Sequence, residues 1–338
     1  MSVSAFASPQ RRRVLVFREL PAQQLALLQA QYEVTVANPR LPAHQAAFEA
    51  ALPLAEGMIG SSVPITEAML DQAPHLKVIS SISVGVDNYP LAALRSRGIT
   101  LCHTPGVLTE TTADTVFALI MASSRRLVEL ALHVREGHWQ RNIDESLFGR
   151  DVHGKTLGIL GFGRIGQALA RRAALGFNMP VLYHARREVD VAQQAPELLG
   201  RVQHRPLDEV LSQADIVAAV LPLTPATRGL MNEATFARMK PGAIFINGAR
   251  GAIVDEAALL RALDSGTLAA AGLDVFATEP LPMDSPLRQH PRVTALPHIG
   301  SATHETREAM AAMATRNLLK ALAGEAPEGL YAEGPEPL

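Results

Sequence analysis

A single cysteine, Cys102, stands in 338 residues, so no disulfide can form within the chain, and a reducing cytoplasm fits. Neither sign of charge is in excess. Lys and Arg total 31 against 33 Asp and Glu, a formal net charge of −2, which gives no support to nucleic-acid or anionic-membrane binding. The Arg11-Arg12-Arg13 run precedes a strand and reads as a solvated end. No apolar run approaches the length of a membrane span. The first ten residues lack both a basic start and a long apolar stretch, so no secretory signal is expected. Tandem repeats and low-complexity tracts are missing too. What remains, at 48% hydrophobic and 19% charged, is a globular chain whose length suggests about two domains.

Short apolar runs alternate with helical patterns. Val14 to Phe17, Gly57 to Gly60, Val78 to Ile82 and Ile99 to Cys102 read as strands, with helices over 21–31 and 65–72. This alternation predicts an α/β fold with a parallel sheet covered on both faces. Asp114 to Arg135 reads as one long helix, apolar on every side from Val116 to Ala122 and therefore expected to be buried all round. A second set of strands is predicted at 157–160, 181–183, 216–221, 243–246, 272–275 and 293–296, followed by a helix over 303–322 that could return to the first domain. The Pro/Glu/Gly-rich tail from Ala326 onward is expected to be loosely held.

The chemistry begins at Leu157-Gly158-Ile159-Leu160-Gly161-Phe162-Gly163-Arg164-Ile165-Gly166. A strand runs into a Gly-x-Gly-x-x-Gly turn and a helix leaves it, an arrangement that holds a dinucleotide pyrophosphate. About twenty residues on, where an NAD-type site usually carries Asp or Glu for the ribose, the chain has His184-Ala185-Arg186-Arg187. A guanidinium grips a 2′-phosphate that a carboxylate would repel, so the cofactor reading is NADP(H), with NAD(H) weaker. Three later strands end in polar residues beside Gly or Pro and deliver Arg250, then Asp274 with Glu279, then His298. Ligands sit at such strand ends in open α/β sheets. The set suits reduction of a 2-keto acid. Arg250 would hold the carboxylate and polarise the keto oxygen, and His298 would donate the proton. Glu279 would keep that histidine charged.

At these residues the chain resembles the D-isomer-specific 2-hydroxyacid dehydrogenase family over nearly its whole length, from about Val14 to Leu322. Besides the glycine fingerprint, the resemblance is carried by the segments 247–256, 272–280 and 297–303. It implies two doubly wound parallel-sheet domains: a Rossmann dinucleotide-binding domain over 108–299 and a discontinuous, flavodoxin-like substrate domain over 1–107 and 300–338. It implies Arg250, Glu279 and His298 as the catalytic set, and substrate contacts from Val84, Gly85, Arg250 and His298. Cofactor contacts would come from Thr112, Gly161, Gly163, Arg164, Ile165, Gly166, His184, Arg186, Arg187, Leu221, Pro222, Ala249, Asp274 and Gly300; for Thr112 a helix N-cap is the alternative. No metal is called for. Trp139 matches an aromatic that some relatives place near the substrate, or it is a packing anchor. A homodimer is implied, with the 114–135 helix contributing.

The strings 103–111, 176–180 and 183–187 are similar to the family's NADPH-dependent reductase branch, which acts on glyoxylate, hydroxypyruvate or 2-ketogluconate. His103 stands where many members carry Asn. Two other readings stay open: a phosphite dehydrogenase-like enzyme and a cofactor-sensing, corepressor-like interaction protein.

Overall fold

Every pairing between named strands is parallel in the computed structural model, which describes residues 11–332. The first ten residues, on which the expectation of no secretory signal rests, lie outside the described residues. Among those described, no helix is long and apolar enough to cross a membrane. The chain forms two compact units. One holds the segment up to Leu108 and the segment from Thr303 on; the other is Thr109–Ala302.

The first unit has five strands: β1 (Arg13–Val16), β2 (Glu33–Val36), β3 (Gly57–Gly60), β4 (Val78–Ser81) and β5 (Thr100–Cys102), in the order β2-β1-β3-β4-β5. This is the flavodoxin-like order. The central strands β3 and β4 are buried throughout, as continuous apolar runs covered on both faces should be. β2, which the apolar pattern missed, is an edge strand that is partly exposed, so it needs little hydrophobicity. The helix His304–Ala323 returns to this unit, with Leu318 and Leu322 against Gly57 of β3. Thr303 caps its start and Gly324, at φ 81°, ends it.

Contrary to expectation, the described part of the C-terminal tail is tied down. His103 N–H donates to the Gly329 carbonyl at 2.8 Å and Tyr331 N–H to Leu101 at 2.9 Å. The fully buried Asn317 accepts from Gly329 N–H and donates to the His103 carbonyl, each at 3.0 Å. Gly329 is required here because a Cβ would fall 2.0 Å from the His103 oxygen. The tail covers Cys102, whose thiol burial pushes up to about 12, far from a reactive thiolate.

The second unit has seven strands: β6 (Leu157–Leu160), β7 (Val181–His184), β8 (Val202–His204), β9 (Ile216–Ala219), β10 (Ala243–Asn247), β11 (Leu268–Leu273) and β12 (Val293–Ala295). Their order, β12-β11-β10-β9-β6-β7-β8, is the doubly wound dinucleotide order extended by one strand, with its switch point between β6 and β9. Apolar clusters cover both faces.

The expected helix over 114–135 is two helices, Thr109–Arg125 and Leu127–Arg135. Arg126 between them takes the left-handed φ of 53°, a conformation costing about 1–3 kcal/mol for a residue other than glycine. Its own guanidinium offsets this by a forked pairing with Glu129 (2.6 and 2.9 Å) and a bond to the Ser146 carbonyl at 2.6 Å. Nor is the first helix buried on all sides: Val116, Phe117, Leu119 and Ile120 face inward while Ala118 is exposed.

Replacing Asn317 with Ala should lower unfolding stability by about 2–4 kcal/mol, because two buried backbone groups lose their partner. Denaturant unfolding measures this; an unchanged midpoint would mean the tail is not docked.

Candidate active site

β6 is fully buried and ends in a turn that only glycine can make. Gly161 has φ 96°, and a Cβ there would lie 2.8 Å from Leu221 Cα, at the end of the segment following β9. A Cβ on Gly166 would fall 2.2 Å from the Gly161 oxygen. Gly163 caps the helix Arg164–Arg171, leaving Arg164 exposed at its first position with Ile165 next. The turn therefore brings backbone amides and a helix N-terminus to the switch point, with Leu221 and Pro222 across from it, and this cradle fits a dinucleotide pyrophosphate.

Gly161 N–H donates to the His184 carbonyl at 2.9 Å, which ties the turn to the end of β7. His184 Nδ1 donates to the Arg205 carbonyl at 3.2 Å. Arg186 and Arg187 follow, both exposed, and among the described residues neither has a hydrogen bond or an acidic partner.

The remaining strand ends converge through their backbones. At the end of β10, buried Asn247 donates through Nδ2 to the Arg250 carbonyl (3.0 Å) and accepts through Oδ1 from Ala249 N–H (3.1 Å). Arg250 is half-buried, and its Nη1 donates to the Ala249 carbonyl at 2.8 Å. Gly251 lies so close to the segment after β11 that a Cβ would fall 1.8 Å from the Phe276 carbonyl carbon. Glu256 reaches the same segment, its Oε1 accepting from Ala277 N–H at 2.7 Å.

On that segment Glu279 accepts from Phe276 N–H at 3.0 Å through Oε1 and from His298 Nδ1 at 2.7 Å through Oε2. His298 follows β12 with a left-handed φ of 56°. Asp274 holds the chain just beyond it: its two oxygens accept from the N–H groups of Ile299 (2.7 Å) and Gly300 (2.8 Å). Thr112 is buried at the fourth position of its helix, so it is not an N-cap; a Cβ on Gly300 would meet its Cγ2 at 3.4 Å. Thus Thr112, Asp274, Gly300, His298, Glu279 and Arg250 share one end of the seven-stranded sheet.

The two acids titrate in opposite directions. Burial raises Asp274 above the ordinary carboxylate range, and the two amides and the nearby His298 do not fully offset it. Burial also acts to raise Glu279, but hydrogen bonds from His298 and Phe276 N–H and the charges of His298 and Arg250 outweigh it, leaving that carboxyl below its usual value.

In the first unit Val84 and Gly85 follow β4, both half-buried, and His103 Nδ1 donates to the Val84 carbonyl at 3.0 Å. Trp139 is 62% exposed, so it is not a packing anchor within the chain. Sequence reasoning assigned no role to Asn247, Gly251 or Glu256. All three lie within the quoted 247–256 string, but their contacts are with residues far along the chain or with backbone, which spacing does not reveal.

Residues 117–300 match the family described as D-isomer specific 2-hydroxyacid dehydrogenase, NAD binding domain, more than half of the chain, and the chain belongs to that family. Its reaction class is nicotinamide-dependent interconversion of 2-keto and 2-hydroxy acids. The chain is 50% identical over 312 residues to glyoxylate/hydroxypyruvate reductase B of Citrobacter koseri, covering 92% of this chain and 95% of that one. Among solved structures it is similar to the TT0316 protein from Thermus thermophilus, with TM-score 0.84 and 44% identity over 95% of this chain and 100% of the other. It is also similar to the NADPH-dependent glyoxylate/hydroxypyruvate reductase from Sinorhizobium meliloti in complex with NADP and malonate, with TM-score 0.85 and 31% identity over 96% and 97%. These relatives favour neither the phosphite dehydrogenase-like nor the corepressor-like reading.

Because the folded pKa of Glu279 is depressed, the stability it contributes is fully present above the ordinary glutamate value and is lost as pH falls through the lowered one. Unfolding midpoints of the wild type and Glu279→Gln should therefore differ most near neutrality and converge below about pH 4. A gap that stays constant across that range would contradict an ionised Glu279 in the fold.

Proposed function

We propose that the chain reduces a short 2-keto acid (glyoxylate, hydroxypyruvate or 2-ketogluconate) to the D-2-hydroxy acid, preferring NADPH and using NADH less well. The observation that carries this reading is the Glu279–His298 contact on a turn clamped by Asp274, at the strand end next to Arg250.

The bound nicotinamide supplies the hydride. Arg250 binds the substrate carboxylate with its guanidinium and polarises the keto oxygen. Ionised Glu279 accepts from His298 Nδ1, which fixes the ring orientation and leaves Nε2 to donate a proton to the developing alkoxide. The His298 and Glu279 side chains are 47% and 36% exposed, so the imidazole regains its proton from solvent. Val84 and Gly85 belong to the proposed substrate set through their backbone N–H groups.

The cofactor set proposed above is supported by the glycine cradle and by the two unpaired guanidiniums after β7. Leu127, Val128, Leu132, Val134, Trp139, Ile143 and Phe148 are each 40–62% exposed within one short stretch, which supports pairing with a second copy. We place the enzyme in the cytoplasm, with a small-molecule substrate and neither a nucleic-acid nor a membrane partner.

Purified protein should oxidise NADPH on addition of glyoxylate or hydroxypyruvate, faster at slightly acid than at alkaline pH, since reduction consumes a proton. His298→Ala should lower kcat by about 10² or more while leaving NADPH binding nearly intact. Absence of turnover on all three acids, or a His298→Ala variant of near-normal kcat, would overturn the reading.

A further inference from the structure

The loop that carries Arg186 and Arg187 is short and exposed, yet both of its ends are fixed by side chains that lie outside the proposed cofactor contacts. At its near end the Ala185 carbonyl accepts from His204 Nε2 at 3.1 Å, so that ring carries its proton on Nε2. At its far end Val189 N–H donates to the Tyr183 hydroxyl at 3.1 Å. Tyr183 is 1% exposed, and its ring stacks on Phe162 with centroids 3.8 Å apart and planes 15° from parallel. Phe162 is the residue between Gly161 and Gly163 of the pyrophosphate turn. The His204 ring lies 5.2 Å from Tyr183, and the Tyr183 carbonyl accepts from Arg205 N–H at 2.9 Å. One tyrosine thus packs against the glycine turn with its ring and holds the arginine loop with its hydroxyl.

We propose that Tyr183 and His204 are positioning residues for cofactor choice: they hold residues 185–189 so that Arg186 and Arg187 stand ready for a ribose 2′-phosphate. This rests on the NADPH reading above. Two exposed guanidiniums on an unbraced loop would have to be ordered at each binding event, and that ordering entropy would weaken the grip on the phosphate. NADH lacks the 2′-phosphate and gains nothing from the brace. The effect of loosening it therefore falls on one cofactor.

Tyr183→Phe keeps the ring stack and removes only the acceptor for Val189 N–H. It should raise KM for NADPH about three- to tenfold, the loss of one neutral hydrogen bond, with a change in KM for NADH smaller by at least that factor and with kcat for NADPH retained. His204→Leu should act in the same direction, and His204→Gln, whose amide can still donate to Ala185, should restore most of the NADPH affinity. Thermal midpoints measured alongside separate this split from a general loss of packing. Equal changes for the two cofactors, or none, would overturn the proposal. The double variant Arg186→Ala/Arg187→Ala, run in the same assay, should lose at least tenfold more efficiency (kcat/KM) with NADPH than with NADH, roughly one charge-assisted contact. If it loses that selectivity and Tyr183→Phe does not, positioning fails alone. If the double variant keeps its selectivity, the NADPH reading fails and the brace with it.

Discussion

The proposed chemistry depends on a backbone constraint: three strand ends are held against one another before any catalytic side chain meets another. Gly251 runs against the Phe276 carbonyl at a separation no Cβ could tolerate. Glu256 fixes Ala277 from a second direction, and Asn247 ties off the turn that carries Arg250. Asp274 then captures the two amides just after His298. Given that frame, the 2.7 Å contact between Glu279 and His298 requires little further ordering of either side chain. In the proposed mechanism, preorganisation of this kind lets a partly exposed acid and imidazole act as a unit rather than as two solvated groups.

The same frame separates the work of two carboxylates only five residues apart. Asp274 is 3% exposed and uses both oxygens to accept backbone N–H groups, so its contacts serve the turn rather than the imidazole. Glu279 gives one oxygen to the backbone and the other to the imidazole, and the cations around it keep it ionised. Environment divides the roles that identical chemistry would leave ambiguous: Asp274 shapes the turn, and in the proposed mechanism Glu279 orients the proton donor.

How much of this is legible in the sequence follows from the range of each interaction. The central strands announce themselves because burial on both faces demands continuous apolar runs, as in Leu157–Leu160 and Gly57–Gly60. The glycine turn is legible because the positive φ of Gly161 and the clash at Gly166 arise within the turn itself. The edge strands Glu33–Val36 and Val202–His204 were missed because a partly solvated edge asks little of its side chains. The break at Arg126 leaves no mark in local propensity: it is held by Glu129 and by a carbonyl twenty residues away. The docked tail is illegible for the same reason, since Gly329 is specified by His103 and Asn317 rather than by its neighbours in the chain. Arg250, Glu279 and His298 could be named from strand-end patterns and from the family resemblance, but the residues that position them could not.

The cofactor side shows what a missing partner means. Some surface arginines of this unit pair with acids: Arg171 with Glu197, Arg172 with Glu110 and Asp114, Arg238 with Asp208, Arg261 with Glu233. Such exposed pairs add little stability. Arg186 and Arg187 are consecutive and exposed, and among the described residues neither forms an ion pair, even with Glu188 next in the chain; their loop is braced at both ends and adjoins the glycine turn. Like charges held together on an ordered loop repel one another, and that repulsion is relieved when an anion binds between them. A phosphate on the ribose is the anion that the neighbouring glycine cradle would deliver to that place.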